Sequence, residues 1–204
     1  MPLFEPRADA AGIPGLTMVR EFVATEEAAE LGRRIDEQPW RHDLKRRVQH
    51  YGYRYDYAAR TIGSEARLGP LPDWLLPLAA RLAAPEWLGA APDQVIVNEY
   101  LPGQGIAGHV DCLPCFGPRI AIVSLGSATA MLFTHPSTAA SHQLILEPRS
   151  LTLLAGPART DWRHAIAARK SDLIDGARLA RGRRVSVTFR TVRLAGARRL
   201  GSPG

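Results

Sequence analysis

Residues 98–111 read NEYLPGQGIAGHVD and contain two polar pairs, Asn98-x-Tyr100 and His109-x-Asp111, on either side of a PGQG segment. In an extended strand, side chains two positions apart leave the same face, so the members of each pair should project together. Proline and glycine favour a turn between the two pairs. The stretch therefore predicts two strands joined by a tight turn, each presenting a polar pair on one face.

The His109-x-Asp111 pair is chemically suited to bind a metal ion. Two imidazoles and one carboxylate form the facial ligand set of non-haem Fe(II) oxygenases, so one further histidine is needed. Of the six histidines, His164 follows the apolar run LTLLAG and precedes the closing strands, and we choose it as the third ligand. Taken alone, a His-x-Asp pair also occurs by chance or as a surface hydrogen-bonding pair.

The segment 184–190 reads RVSVTFR and alternates polar with apolar residues, as a strand with two unlike faces does. Two interpretations of the polar face stay open. It can be a solvated outer face, or it can line a pocket in which Arg184 and Arg190 bind a dicarboxylate through charge-assisted hydrogen bonds. In the second case Asn98 and Tyr100 can donate to the same anion.

Composition describes an ordinary folded domain. The chain has 204 residues, 46% of them hydrophobic, which is enough for one buried core. No apolar run reaches the ~20 residues that span a bilayer, and the first residues lack the order of a secretory signal. We therefore expect a cytoplasmic monomer without a membrane partner. The net charge of +6 suits nucleic acid, although a basic composition alone does not establish it.

The order of predicted elements favours an α+β fold that is mainly β, with a sandwich or barrel as its main body. Helix signals come first, and short strands separated by turns follow. Residues 168–183 are polar and basic, which predicts an exposed loop. Helices are predicted at 25–38 and 72–84, and strands at 16–23, 45–57, 95–100, 119–125, 128–134, 143–147, 151–154 and 184–193.

Residues 45–57, KRRVQHYGYRYDY, place a tyrosine at every second position from 51 to 57. On one strand these rings would share a face. The face can pack on the core, since tyrosine favours strands, or it can stack on nucleotide bases while the preceding cations contact phosphates. Under the second interpretation the nucleic-acid contacts are Lys45, Arg46, Arg47, Tyr51, Tyr53 and Tyr55.

The two cysteines, Cys112 and Cys115, form a CLPC sequence. Such a pair can be a redox centre or half of a zinc site. No second pair completes a zinc set, so we interpret both as small loop residues near the site.

These motifs together resemble the AlkB-type Fe(II)/2-oxoglutarate dioxygenases, whose Asn-x-Tyr, His-x-Asp…His and Arg-x5-Arg signatures occur here in the same order. The resemblance covers residues 16–193 and implies a double-stranded β-helix (jelly-roll) core with an N-terminal α/β extension that forms a nucleotide-recognition lid. It divides the chain into an extension, 16–90, and a core, 91–193. The ends, 1–15 and 194–204, are expected to be flexible.

The resemblance also implies the cofactors Fe(II), 2-oxoglutarate and O2. Fe(II) would be bound by His109, Asp111 and His164, and 2-oxoglutarate by Asn98, Tyr100, Arg184, Ser186 and Arg190. At position 186 the DNA-repair members usually carry Asn, so the donor contacts to the cosubstrate can differ here.

Within that family the chain is similar to the branch that hydroxylates a modified wobble uridine in tRNA. The implied function is hydroxylation of a modified nucleoside, with tRNA favoured as partner and DNA possible. Oxidative dealkylation of DNA or RNA bases is the first alternative. A non-catalytic jelly-roll binding module is the second.

Overall fold

The computed structural model describes residues 10–42, 44–174 and 176–194. The flexible ends predicted at 1–9 and 195–204 lie outside the described residues. Residues 10–15 were expected to be loosely attached, and this is wrong. Ala10 and Ile13 are buried against the core, because they fill the space beside the first strand, and Ala10–Gly12 form a 3-10 turn.

The described residues form three α-helices and twelve strands. The helices are α1 (Thr25–Asp36), α2 (Leu76–Leu82) and α3 (Gly156–Thr160), with 3-10 turns at Ala10–Gly12, Ser64–Ala66 and Asp73–Leu75. The strands are β1 (Leu16–Val19), β2 (Val48–Tyr51), β3 (Gln94–Tyr100), β4 (Ile106–His109), β5 (Ile120–Gly126), β6 (Thr129–Thr134), β7 (Ser141–Leu146), β8 (Leu151–Leu154), β9 (Arg163–Ile166), β10 (Ser171–Ile174), β11 (Ala177–Ala180) and β12 (Arg184–Arg190). Among the described residues, every helix is too short or too polar to span a membrane.

The strands form two antiparallel sheets and a separate hairpin. The major sheet has the order β1-β8-β5-β12-β3-β2, and the minor sheet has the order β4-β9-β6-β7. Strands distant in sequence lie side by side, as in a jelly roll. The predicted mainly β fold with a jelly-roll core is confirmed.

Each face of the major sheet covers a different part of the core. Its inner face meets the minor sheet, where Ile122 of β5 and Phe133 of β6 belong to one buried cluster. Its outer face is covered by α1 and α2, through Ile35 and Leu78, which pack against residues such as Val97. The cavity that carries the polar residues therefore opens on the inner side, between the sheets.

The tyrosine-rich segment is not one long strand. Strand β2 ends at Tyr51, because Gly52 has a φ of +75° and turns the chain. A Cβ at Gly52 would lie 1.8 Å from the carbonyl oxygen of Asp93, so only glycine fits here. The four tyrosines consequently do not share one face, contrary to the alternation in the sequence.

The segment 168–183 is not a simple loop. It contains the hairpin β10–β11, which Asp172 attaches to the minor sheet by accepting hydrogen bonds from the Ala130 amide (3.1 Å) and the Thr129 hydroxyl (3.2 Å). Arg181 makes two further hydrogen bonds to the Asp172 carboxylate, at 2.6 and 2.8 Å. A polar sequence becomes ordered here because its charges are paired and buried.

Candidate metal centre and cosubstrate pocket

The three predicted metal ligands lie together at one end of the minor sheet. His109 ends β4 and is directly opposite His164 in β9, and Asp111 follows two residues later. Their ligand atoms all lie within 4.8 Å of one another. The two imidazole rings are 4.4 Å apart between centroids. This is a donor set and a spacing that fit a single Fe(II).

The PGQG turn brings β4 against β9 closely enough to form this site. A Cβ at Gly105 would lie 2.2 Å from the carbonyl oxygen of Ile166, so the strands could not approach each other with any other residue there. At the far end of the strand, Nδ1 of His109 lies 2.9 Å from the carbonyl oxygen of Ala107. A hydrogen bond donated to that oxygen leaves Nε2 with its lone pair for a metal.

The protonation states of the buried ligands also suit a metal. Burial lowers the pKa of His164 to about 4, against an opposing effect of Asp111, so the imidazole is neutral at pH 7. Burial alone would raise the pKa of Asp111, but the nearby charge of Arg190 outweighs it, and the proximity of His109 acts in the same direction. The pKa of Asp111 therefore lies well below its ordinary value, and the carboxylate is ionised.

Arg159 holds the loop that carries Asp111 by hydrogen bonds to two backbone carbonyls, and the sequence did not indicate this role. Its Nη1 donates to the carbonyl oxygen of Asp111 at 2.9 Å and its Nη2 to that of Cys112 at 3.1 Å. The side chain is buried, which lowers the pKa of its guanidinium. No motif marks this residue, because it comes from α3 and meets the loop only through tertiary packing.

Cys112 and Cys115 are joined by a disulfide, where the sequence interpretation had two small loop residues. The pair packs with Ile62 and Phe116 in a small buried cluster beside the metal ligands. Residues separated by three positions in a tight loop can bring their Cα atoms close enough to bond, here 5.3 Å apart. The disulfide closes the loop that leaves Asp111.

The polar face of β12 points into the cavity, so the pocket interpretation of RVSVTFR is the one that the structure favours. Arg184, Ser186, Thr188 and Arg190 line the cavity, and the apolar residues of the strand pack on the outer core. Arg184 is 2% exposed and donates from Nη2 to the Ser124 hydroxyl at 3.0 Å. Within the described part of the chain, its buried Nε has no acceptor.

The buried Nε of Arg184, which has no acceptor among the described residues, indicates that the pocket fits a carboxylate ligand. A buried guanidinium without enough acceptors is costly unless a ligand supplies them. Burial lowers the pKa of Arg184 to about 10, which still leaves it charged at pH 7. A carboxylate bound here would accept from Nε, so the residues fit a dicarboxylic cosubstrate.

Arg190 has a different position from Arg184, although both were predicted to bind the cosubstrate. Its Nη2 and Nε donate to Oδ2 of Asp111 at 2.9 and 3.1 Å. A third contact runs from Nη1 to Oε1 of Gln94 at 3.3 Å. Arg190 therefore holds the metal-binding carboxylate in place, and any contact to the cosubstrate would be shared with Asp111.

Asn98 and Tyr100 also line the cavity from β3, next to β12. Oδ1 of Asn98 accepts a hydrogen bond from Nε of Arg46 at 2.9 Å. The Arg184 guanidinium lies over the ring of Tyr100, 5.4 Å from its centroid. The predicted cosubstrate residues thus surround one end of the cavity, beside the metal ligands.

The six predicted nucleic-acid contacts separate into two groups. Lys45, Arg46 and Tyr55 line the cavity, together with Tyr57 and Arg60. The other three, Arg47, Tyr51 and Tyr53, contact residues outside the cavity.

Arg47, Tyr51 and Tyr53 do not line this cavity. Arg47 binds the buried carboxylate of Glu99 at 2.5 and 2.7 Å, on the opposite face of β3. The ring of Tyr51 meets Trp74 edge to face at 5.5 Å, and Tyr53 packs on the disulfide cluster. For Tyr51, the core-packing interpretation is the one that the structure supports. The turn at Gly52 separates Tyr51 from the cavity-lining Tyr55, and the alternation of tyrosines in the sequence does not reveal this turn.

The cavity has a volume of about 450 Å³ and extends from the metal ligands to Tyr55, Tyr57 and Arg60. This lies in the usual range for small-molecule sites. One end carries the metal and carboxylate ligands, and the other carries aromatic rings and cations. The arrangement can hold an acidic cosubstrate at the metal and a second, flat molecule beside it.

Comparison with known proteins gives the same assignment. Residues 15–190 match the model of the 2OG-Fe(II) oxygenase superfamily. The chain is 34% identical over 88% of its length to the Mus musculus tRNA (carboxymethyluridine(34)-5-O)-methyltransferase ALKBH8, and 35% identical over 89% of its length to the Arabidopsis thaliana alkylated DNA repair protein ALKBH8 homolog. The solved structure of OsALKBH1 superposes with a TM-score of 0.63 at 19% identity, covering 87% of this chain and 97% of that one.

The chain spans only part of these curated relatives, 31% of the mouse protein and 59% of the Arabidopsis protein. The match to the superfamily model, by contrast, runs through all the ligand-bearing strands. Enzymes of this superfamily use Fe(II), 2-oxoglutarate and O2, and His109, Asp111 and His164 form the site for the metal here. The chain therefore belongs to the AlkB family of Fe(II)- and 2-oxoglutarate-dependent dioxygenases.

Proposed function

We propose that this dioxygenase hydroxylates a modified nucleoside in nucleic acid, and that its substrate is a wobble uridine of tRNA. The observation that carries the proposal is the two-ended cavity, with a metal and carboxylate site at one end and Tyr55, Tyr57 and basic residues at the other. A base must leave its stack to reach a buried metal. Aromatic rings can receive that base, and cations at the rim can contact its phosphates.

The similarity to the two ALKBH8 proteins supports tRNA as the nucleic acid. The name of the mouse relative assigns it to carboxymethyluridine at position 34 of tRNA, and 88% of this chain aligns with it. The methyltransferase activity in that name belongs to a much longer protein.

The cytoplasmic location and the monomeric state remain predictions. Gel filtration with light scattering would test the monomeric state.

Each residue of the site has a defined task in this proposal. His109, Asp111 and His164 bind Fe(II), and Arg190 keeps Asp111 ionised and oriented. Arg184 binds the distal carboxylate of 2-oxoglutarate through its free Nε, and Ser186, Asn98 and Tyr100 complete the polar wall. Fe(II) with 2-oxoglutarate supplies the activation of O2 that inserts an oxygen atom into a C–H bond. The apolar walls, including Ile122 and Met131, exclude water from it.

Mass spectrometry of tRNA nucleosides from a strain that lacks this gene would test the proposal. We expect a wobble uridine to lack one oxygen atom relative to the parent strain. Complementation with the wild-type gene should restore it, and complementation with the Asp111→Ala variant should not. Unchanged uridine modification in the deletion strain would contradict the proposal.

Oxidative dealkylation of damaged bases is a second candidate. It is supported by the names of two relatives, the Arabidopsis alkylated DNA repair protein and the zebrafish probable RNA/DNA demethylase ALKBH6, which is 29% identical over 60% of this chain. Incubation of the enzyme with methylated oligonucleotides would separate the two, because dealkylation releases formaldehyde and hydroxylation of a carbon-linked group does not. Membership of a dioxygenase family does not support the non-catalytic binding module.

A further inference from the structure

Arg46 occupies an unusual position at the middle of the cavity. Its guanidinium lies over two aromatic rings, with Cζ 6.0 Å from the centroid of Tyr57 and 5.8 Å from that of Tyr100. Its Nε donates to Oδ1 of Asn98 at 2.9 Å. Two rings and one hydrogen bond together restrict the plane of a side chain that would otherwise be mobile.

Arg46 stands between the cosubstrate end and the nucleotide end of the cavity. The ring of Tyr100 contacts Arg46 as well as Arg184, and Tyr57 belongs to the aromatic end. Within the residues that the structure describes, Nη1 and Nη2 of Arg46 make no hydrogen bond to protein. Four N–H donors are therefore available to a molecule in the cavity.

The side chains around Arg46 give its end of the cavity a positive charge. Five cationic side chains line the cavity, and among the described lining residues Asp111 is the one acid. Asp111 is already engaged by Arg190 and belongs to the metal site. Arg184 binds the cosubstrate in this proposal, so among the described lining residues the cations Lys45, Arg46 and Arg60 at the nucleotide end face no acid of their own.

Nucleobases differ in what they present to such a donor. Uracil and guanine carry carbonyl oxygens, O4 and O6, where cytosine and adenine carry amino groups. A guanidinium has donors only, so it pairs with a carbonyl or an anionic substituent and meets an amino group donor to donor. Methylation at N3 of cytosine or N1 of adenine adds a positive charge, which the three cations would repel.

We propose that Arg46 is the residue that selects the base, admitting an oxo base of the uracil type, neutral or with an anionic substituent, and rejecting amino bases, above all cationic methylated ones. The inference rests on the proposed function at this site and specifies its substrate class. It adds a role for one side chain that no motif of the family marks in this sequence.

Four RNA hairpins would test the proposal, identical except that the same loop position carries 3-methyluridine, 3-methylcytidine, 5-methyluridine or 5-methylcytidine. Within each pair the methyl group is constant and the carbonyl is exchanged for an amino group. The 3-methyl pair also differs by the positive charge of 3-methylcytidine, whereas both 5-methyl nucleosides are neutral. Dissociation constants measured with 2-oxoglutarate and redox-inactive Mn(II) report binding alone. Nucleoside mass spectrometry with Fe(II) and O2 then reports turnover.

We expect the wild-type enzyme to bind each uridine hairpin at least about tenfold more tightly than its cytidine partner, the effect of one good bidentate contact. Arg46→Glu should reverse the order within the 3-methyl pair, because a carboxylate attracts the cationic base. Arg54→Glu is the matched control, since Arg54 is exposed on the same segment and does not line the cavity. It should leave the order unchanged.

Three outcomes would overturn the inference. The first is equal binding of both members of each pair by the wild type, and the second is a reversal of order with Arg54→Glu. The third is an Arg46→Glu variant whose only change is a higher KM for 2-oxoglutarate, which would make Arg46 a positioning residue for Asn98. If the binding preference is found but no hairpin or tRNA is oxidised, the inference stands and the proposed function fails.

Discussion

At the scale of single residues, Arg184 and Arg190 come from the same face of β12 and have different partners. Arg190 is bound to Asp111, whereas Arg184 donates to Ser124, lies over the ring of Tyr100 and leaves its Nε without an acceptor among the described residues. The two arginines of one motif thus have different roles. Arg190 orients the metal ligand Asp111, and Arg184 has an Nε–H that can donate to a bound carboxylate.

Replacing Arg184 by Met should raise the KM for 2-oxoglutarate more than about tenfold, because a charge-assisted hydrogen bond to a carboxylate contributes roughly 1.5–3 kcal/mol. The decarboxylation of 2-oxoglutarate in the absence of nucleic acid measures this directly. Arg183→Met is a matched control, since Arg183 precedes β12 and binds Glu99 on the opposite side of the sheet. An unchanged KM in Arg184→Met would contradict the assignment.

Removing a metal ligand should abolish metal binding while the fold survives. We expect His164→Ala to lose Mn(II) binding, measured by electron paramagnetic resonance, because only two protein ligands remain. His142→Ala is the control: His142 contacts Trp162 and lies outside the ligand set. Binding of one Mn(II) per chain with unchanged affinity in His164→Ala would show that the ligand set is wrong.

At the scale of elements, the sequence predicts those strands whose alternation agrees with burial. Strand β12 was predictable because Val185, Val187 and Phe189 alternate with polar residues and face the outer core. The pair His109 and Asp111 was predictable from spacing, and His164 was chosen as the third ligand from its place between LTLLAG and the closing strands. Arg159 and the hairpin β10–β11 were not predictable, since both depend on contacts between distant segments.

The end of β2 depends on Gly52, so Gly52→Ala should disrupt the turn that follows this strand. Its new Cβ would meet the Asp93 carbonyl at 1.8 Å, in addition to the strain of φ +75°. Gly12→Ala separates the two effects, because Gly12 has φ +70° and nothing within 4 Å. In urea unfolding we expect a loss of about 1 kcal/mol for Gly12→Ala and a clearly larger loss for Gly52→Ala. Equal losses would show that the close approach to Asp93 is absent.

At the scale of the whole molecule, two sheets enclose the cavity, and a hairpin is attached to the minor sheet through a buried carboxylate. Asp172 connects the hairpin to the minor sheet through the Ala130 amide, and it also accepts hydrogen bonds from Arg169 and Arg181, which flank the hairpin. Burial alone would raise the pKa of Asp172, but these hydrogen bonds outweigh it and hold the pKa well below its ordinary value of 3.8. The unfolded chain therefore binds a proton at Asp172 more readily than the folded chain does.

This difference predicts acid sensitivity. The contribution of Asp172 to the free energy of unfolding is complete above its unfolded pKa of 3.8 and declines as the pH falls below that value. Asp172→Asn should lower stability at pH 7 by about 3 kcal/mol, as for other broken buried ion pairs, and should flatten the dependence between pH 4 and 2. Asp73→Asn, at an exposed carboxylate, is the control. An unchanged acid limb in Asp172→Asn would contradict this role.

The most direct test of the account is a reaction of the purified enzyme with tRNA from a strain that lacks the gene, in the presence of Fe(II), 2-oxoglutarate and O2. Succinate and tRNA nucleosides would be measured in the same samples. We expect succinate to form in an amount equal to that of a wobble uridine that has gained one oxygen atom, and we expect neither product with Asp111→Ala. Succinate formation that tRNA does not increase, with no oxidised nucleoside, would contradict it.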